Sequence, residues 1–120
     1  EYRWGEIRYA PLRNNLTLAQ LFTQNMQSLG RKVEALDPNK AFGSTDMGNV
    51  SQLVPSIHPF VAIAPVEVVA HSPQFAAAAA SEAGIQGLLD AAKALAMTVV
   101  DLVANPEIVV KVKQEFEQNK

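Results

Sequence analysis

His58 and His71 are the only imidazoles in this chain, and it has no cysteine, so metal ligation would fall to these two side chains and the carboxylates. His71 follows the apolar run of residues 66–70 and precedes Ser72-Pro73, a pattern that predicts a strand end entering a turn. In open α/β sheets, ligands bind at strand ends, so His71 is a candidate metal ligand. The plainer reading is a surface or hydrogen-bonded loop histidine, because a lone residue carries little signal. His58, between Ile57 and Pro59, reads as a histidine that satisfies a backbone group and supports a site at one remove at best.

A second feature is Gly43-Ser44-Thr45-Asp46-Met47-Gly48-Asn49-Val50-Ser51. Its glycines, hydroxyls and backbone N–H groups could cradle a carboxylate or phosphate. The structural alternative is Asp46 or Ser44 capping a short helix, the position these residue types favour. Using the loop for phosphate would require a helix N-terminus behind the glycines and a nearby cation, and Lys40 is the only close candidate. Glu67 and Asp101 are isolated carboxylates with no visible partner for acid–base work. The sequence has no HExxH, GxSxG, Walker or dinucleotide-binding pattern, and no residue of the chain is assigned a catalytic role.

These residues need elements to position them. Residues 2–9 alternate in the manner of an edge strand, which Pro11 and Asn14-Asn15 end. Leu18, Leu21, Phe22, Met26 and Leu29 recur at helical spacing, with Thr17 and Gln20 at capping-box spacing and Gly30 as the stop. Val33 to Leu36 could be a short strand, after which Asp37-Pro38-Asn39 turns the chain into a polar, glycine-punctuated stretch ending near Ser56. Residues 60–69, rich in Val, Ile and Ala and interrupted by Pro65, predict a buried strand followed by a short one, forming a small central sheet. Ser81 begins a long helix whose apolar face is Ile85, Leu88, Leu89, Ala92, Leu95, Ala96, Val99 and Leu102. Its many alanines, with Gly84 and Gly87, imply close approach to a neighbour. Asn105-Pro106-Glu107 ends it and starts another helix, with Ile108, Val109, Val112 and Phe116 as the buried stripe. The run of residues 76–80 reads as compositional bias.

Composition excludes more than it selects. With 48% hydrophobic residues, ten basic and twelve acidic side chains and a net charge of −2, the chain suits an ordinary globular domain. It offers no clustered cations for nucleic acid or anionic membrane. No apolar stretch approaches the roughly 20 residues needed to span a bilayer. The lack of cysteine fits a cytoplasmic location.

The 43–51 loop, Val54-Pro55-Ser56, His71-Ser72-Pro73-Gln74-Phe75 and Ala91-Ala92-Lys93-Ala94-Leu95-Ala96, in that order and spacing, resemble one known arrangement. It is the C-terminal part of the di-metal amidohydrolase and dipeptidase family that includes aminoacylase, carboxypeptidase G and aminobenzoyl-glutamate hydrolase. The pattern is most similar to the β-alanyl-lysine dipeptidase and aminobenzoyl-glutamate hydrolase branch. The resemblance implies an α/β fold: residues 15–120 as the second half of a three-layer α/β/α catalytic domain, and residues 1–14 as the last strand of an inserted lid or dimerisation domain.

It also implies that His71 is a terminal ligand of one of two zinc or manganese ions, and that Gly43, Ser44, Thr45 and Asp46 line the substrate pocket. The substrate would be a small peptide or N-acyl amino acid, cleaved by a metal-held water. The other ligands and the general base would come from an upstream half of the domain, in a parent that is a homodimer. A lone imidazole falls short of the three or four protein ligands that metal sites use, so the isolated chain is expected to be inactive. The competing expectation is a non-catalytic α/β interaction domain. On the first expectation, the sheet of a second half-domain would leave an apolar edge and face uncovered without the first half, which predicts poor solubility, oligomerisation or rearranged packing.

Overall fold

Asn15 sets the start of the first helix. In the structure, a computed structural model that describes residues 1, 5, 8–34 and 44–118, the Asn15 side chain accepts from the Leu18 N–H at 3.0 Å and begins α1 (Leu16–Ser28). The two donors ahead of Leu18 are taken by the Glu115 carboxylate from across the molecule, at 2.5 Å from the Leu16 nitrogen and 2.9 Å from that of Thr17. The first-turn amides that a helix leaves unpaired are thus satisfied by two side chains. The expected capping box does not form, because the Thr17 hydroxyl donates to Glu115 at 2.7 Å. At the other end Gly30, at φ +83, permits the closing pair of hydrogen bonds, Gly30 N–H to Gln27 O and Arg31 N–H to Met26 O. That is the left-handed helix stop glycine allows most readily.

The remaining helices are α2 (Met47–Ser51), α3 (Pro73–Ala79), α4 (Glu82–Ala104) and α5 (Pro106–Gln118). The α3 helix was not foreseen. Ser72 caps it by accepting from the Phe75 N–H at 3.1 Å, and Pro73 occupies its first turn, so the pair that begins the supposed low-complexity run is a helix start. As expected, Ser81 caps α4 and Pro106 opens α5 with Glu107 in its first turn. The Asn105 side chain, however, turns back to donate to Asp101 O at 2.8 Å.

The core lies between α1 and α4, where Phe22, Met26 and Ala94 are buried and Leu29, Ile57 and Val61 pack against them. Close packing dictates which residues of α4 face inward. Gly84, Gly87, Asp90, Ala94 and Thr98 are its buried positions. A Cβ at Gly84 would collide with the Ala78 and Ala79 carbonyls, and one at Gly87 would sit 2.6 Å from Ile63 Cγ2. The polar members are paired. Asn25 Nδ2 donates to Thr98 Oγ1 at 3.1 Å and to Asp101 Oδ2 at 2.9 Å, and Asp90 accepts from Arg31 Nε at 2.8 Å and Gln86 Nε2 at 2.8 Å. α5 closes the other side of α1 with Val112 and Phe116, and Asn15 Nδ2 donates to Val112 O at 3.0 Å.

Two expectations are overturned. The α/β assignment, with its three-layer α/β/α sheet and lid-domain strand, fails. Among the described residues there is no strand, and the single β pairing is an isolated parallel bridge between Asn14 and Ser56. A strand exists only by hydrogen bonding to a neighbour, and residues 60–69 find none. Pro59 and Pro65 withhold donors, Arg31 Nη1 takes the Ala62 carbonyl at 3.2 Å, and Val66 and Val69 face outward. Residues 8–13 are engaged by side chains of α2. Gly5, Val33 and Glu34 form no strand either, and the remaining residues of the 2–9 and 33–36 predictions lie outside the described set.

The second correction concerns α4. The stripe read as its buried face is exposed at Ile85, Leu88, Leu89, Leu95 and Val99, with Leu88 65% accessible. The inner face is small and polar instead. The radius of gyration, 16.6 Å, exceeds the roughly 14 Å of a compact domain this long, in keeping with so much uncovered apolar surface.

Candidate functional site

The 44–46 loop runs into α2, and α2 is built to hold an extended segment. Asn49 Oδ1 accepts from the Ala10 N–H at 2.7 Å and Asn49 Nδ2 donates to Arg8 O at 2.9 Å. Ser51 Oγ accepts from the Arg13 N–H at 2.9 Å and donates to Gly48 O at 2.7 Å, while Gln52 Nε2 donates to Pro11 O at 2.7 Å. These amide and hydroxyl groups take up backbone donors and acceptors of residues 8–13. Gly48 lies against the Ala10 carbonyl so closely that any Cβ would overlap it. The second glycine of the motif is therefore required by packing.

Asp46 occupies the cap position of α2 but its side chain makes no capping hydrogen bond. Instead Thr45 Oγ1 accepts from the Met47 N–H at 3.3 Å. Ser44 and Asp46 are exposed and Thr45 is half-buried, so the loop keeps polar groups free of the helix it precedes. Gly43 lies outside the described residues.

His71 stands in the turn between residues 65–70 and α3. It is exposed, and at φ +63 it is the non-glycine residue with a positive φ among those described. Histidine enters this left-handed region more readily than most residues, but at a cost. Its neighbour fixes the turn: Ser72 Oγ donates to Val69 O at 2.6 Å and caps α3. No hydrogen bond or ion pair among the described residues engages the imidazole, and none links it to Thr45 or Asp46.

His58 has a different setting, stacked on Phe60 with ring centroids 5.6 Å apart. Both rings line an open groove of about 650 Å³ between α1 and residues 57–62, whose floor includes Phe22 and Met26 and whose rim carries Lys32 and Glu34. Neither His71 nor the 44–46 loop lines it.

On the rim of that groove the hydrogen bond to Glu34 holds the Lys32 ammonium above its usual value; the other perturbed groups lie elsewhere. The Arg31 hydrogen bond holds the Asp90 carboxyl below its usual range against the opposing effect of burial, with Gln86 helping. For Glu115, burial pushes upward, but the Thr17 hydroxyl and the amides of Thr17 and Leu16 outweigh it and the net shift is down. Both groups serve structure. Neither was singled out from sequence.

Among the described residues, no group of three or more His, Asp or Glu side chains is placed to hold a metal ion. The donor set among them does not fit a metal without further ligands. No helix among them is long and apolar enough to cross a membrane.

No family model matches the sequence. Curated proteins it resembles include dipeptidases, which agrees with the peptidase and amidohydrolase class implied by the resemblance of its motifs. They include Xaa-Arg dipeptidase of Mus musculus, 40% identical over 104 residues that make up 85% of this chain and 24% of the relative. Xaa-Arg dipeptidase of Homo sapiens is 35% identical over 118 residues, 97% of this chain and 27% of the relative. The chain spans about a quarter of the length of these relatives.

Proposed function

We propose that this chain is a portion of a metal-dependent dipeptidase of the amidohydrolase type, with dipeptides ending in arginine as the substrate class. One observation carries the reading: identity of 35% and 40% to two Xaa-Arg dipeptidases across nearly the whole chain. On this reading His71 is one metal donor. The left-handed backbone at His71 supports the assignment, since strain of this kind collects at functional sites. Ser44, Thr45 and Asp46, with Gly43, form a polar wall of the substrate pocket, their hydroxyls and N–H groups suited to a carboxylate. The other ligands and the general base come from polypeptide that the relatives possess and this chain does not span. Zinc or manganese supplies the Lewis acidity when bound, and this chain's part is to hold one imidazole at a fixed turn and to position substrate.

The test is His71→Asn in the complete polypeptide containing this chain. Asparagine tolerates the left-handed backbone, so the fold is spared while the ligand is removed. Hydrolysis of alanyl-arginine with added zinc or manganese should be abolished, and metal content should fall. Unchanged activity and metal content would remove His71 from the site, and failure of the unaltered polypeptide to cleave any dipeptide would reject the reading.

A further inference from the structure

The outer face of α4 is the largest unexplained feature of the molecule. Ile85, Leu88, Leu89, Leu95, Val99, Val100 and Val103 are exposed there, Val103 by 78% and Leu88 by 65%. Ala92 and Ala96 lie among them and are also exposed. At 100° per residue these positions fall on one side of the helix. The charged residues after Glu82, namely Asp90, Lys93 and Asp101, fall on the inner side or at the margin.

The seven larger side chains expose several hundred Å² of contiguous apolar surface, on the scale (about 300–600 Å²) at which a patch marks an interaction site. The opposite side of the helix, already packed on α1, the end of α3 and residues 62–63, is made of Gly84, Gly87, Asp90, Ala94 and Thr98. The more apolar face of a 23-residue helix is therefore the one this chain leaves bare, the reverse of what a helix packed only against its own chain requires.

We infer that this outer face is a docking surface for the polypeptide corresponding to the part of the dipeptidase relatives that this chain does not span. The inference rests on the proposed reading of the chain as a portion of such an enzyme. The match takes in 24% and 27% of the two relatives, so about three-quarters of each lies outside it, ample to supply a cover. The stripe fixes the chemistry of that cover: an uncharged apolar surface about 27 Å long, from the rise of 1.5 Å per residue between residues 85 and 103. Ala92 and Ala96 at its centre allow backbone to approach closely there. Two exposed faces of one molecule thus have separate roles, the α4 stripe for docking and the 44–46 and His71 turns for chemistry.

The experiment expresses this chain separately from the polypeptide that flanks it in its own reading frame, and measures association of the two by co-purification and sedimentation. Unaltered chain should form a one-to-one complex. Leu88→Glu and Val99→Glu should each weaken association by about tenfold or more, the scale set by one buried aliphatic side chain. Val110→Glu, at an exposed position of α5, should leave it intact. Because the chain has no cysteine, Val99→Cys carrying a photo-crosslinker gives a second readout that does not depend on disruption, and it should link to the flanking polypeptide.

Binding unaffected by the α4 charges with no crosslink, a reading frame with no flanking polypeptide, or crosslinking only to a second copy of this chain would each overturn the inference. These readouts are independent of hydrolysis. A docked but inactive complex would reject the proposed function and leave the docking surface standing, whereas an active enzyme indifferent to both α4 charges would do the opposite.

Discussion

Glu115 gives the sharpest quantitative test of how this molecule is held together. Its carboxylate accepts the Leu16 and Thr17 amides and the Thr17 hydroxyl, so one side chain of α5 closes the N-terminus of α1. Hydrogen bonds to a charged group contribute about 1.5–3 kcal/mol when fully shielded. Glu115 is only half-buried, so each donor recovers water once the carboxylate is removed. Losing a helix cap costs about 0.5–2 kcal/mol, and the charge at the helix N-terminus adds about 0.3–1 kcal/mol. Glu115→Ala should therefore destabilise the chain by about 2 kcal/mol. Glu115→Gln, which keeps one acceptor oxygen, should cost about half that.

Urea unfolding followed by far-ultraviolet circular dichroism reads this as a lowered midpoint at unchanged slope. The pH dependence follows from the sign of the shift. The folded-state value is lowered, so the carboxylate's contribution is fully present above the ordinary glutamate value, about 4.3, and fades as pH falls through the lowered one. The gap between the unaltered chain and Glu115→Gln should narrow as pH falls from about 5, through the ordinary glutamate value and then the lowered one. A gap below about 0.3 kcal/mol at neutral pH, or one that ignores pH, would refute the assignment of Glu115 as the cap of α1.

Other substitutions check the remaining geometry by the same unfolding assay. Gly84→Ala places a Cβ against the Ala78 and Ala79 carbonyls and should cost about 1–3 kcal/mol as α3 is pushed from α4; a neutral result would mean the two helices are not in contact. Ser72→Ala removes the α3 cap and should cost about 1 kcal/mol. His71→Gly relieves a left-handed penalty of about 1–2 kcal/mol, partly offset by glycine's greater chain entropy, and should stabilise by about 0.5–1 kcal/mol. In the complete polypeptide the same change should abolish hydrolysis. A loss of stability would show that His71 is not left-handed.

Punctuation residues were legible in the sequence, and partner-dependent features were not. Gly30 and Asn105-Pro106-Glu107 mark helix ends that need only local chemistry, and the structure places those ends there. Ser72-Pro73 carries an equally local signal for α3, obscured by the alanines behind it. The strands expected in residues 60–69 depend on a neighbour that sequence cannot supply, and among the described residues none pairs with them. Nor could periodicity show that Asn49, Ser51 and Gln52 would occupy the backbone of residues 8–13, since their separation in sequence is long and their chemistry ordinary. For the candidate site, the sequence nominated His71 and the 43–46 loop. The structure adds the left-handed turn at His71 and the free carboxylate of Asp46, while Gly43 is outside the described residues.

The reversal of α4 shows why a strong apolar stripe can mislead. Amphipathic reasoning takes the most hydrophobic arc as the inside, which holds when a helix has a single neighbour. Along its inner side α4 meets α1, the end of α3 and residues 62–63, and close approach there selects for small side chains: Gly84 meets the Ala78 and Ala79 carbonyls, Gly87 meets Ile63, and Ala94 packs with Phe22 and Met26. Asp90 and Thr98 are tolerated inside because Arg31 and Asn25 meet them. With the small face committed, the Leu and Val stripe is left for a second neighbour. Buried glycines and alanines opposite exposed leucines therefore mark a helix whose small face is packed first, and the pattern could have been read from the sequence by asking which face of α4 its neighbours can approach most closely.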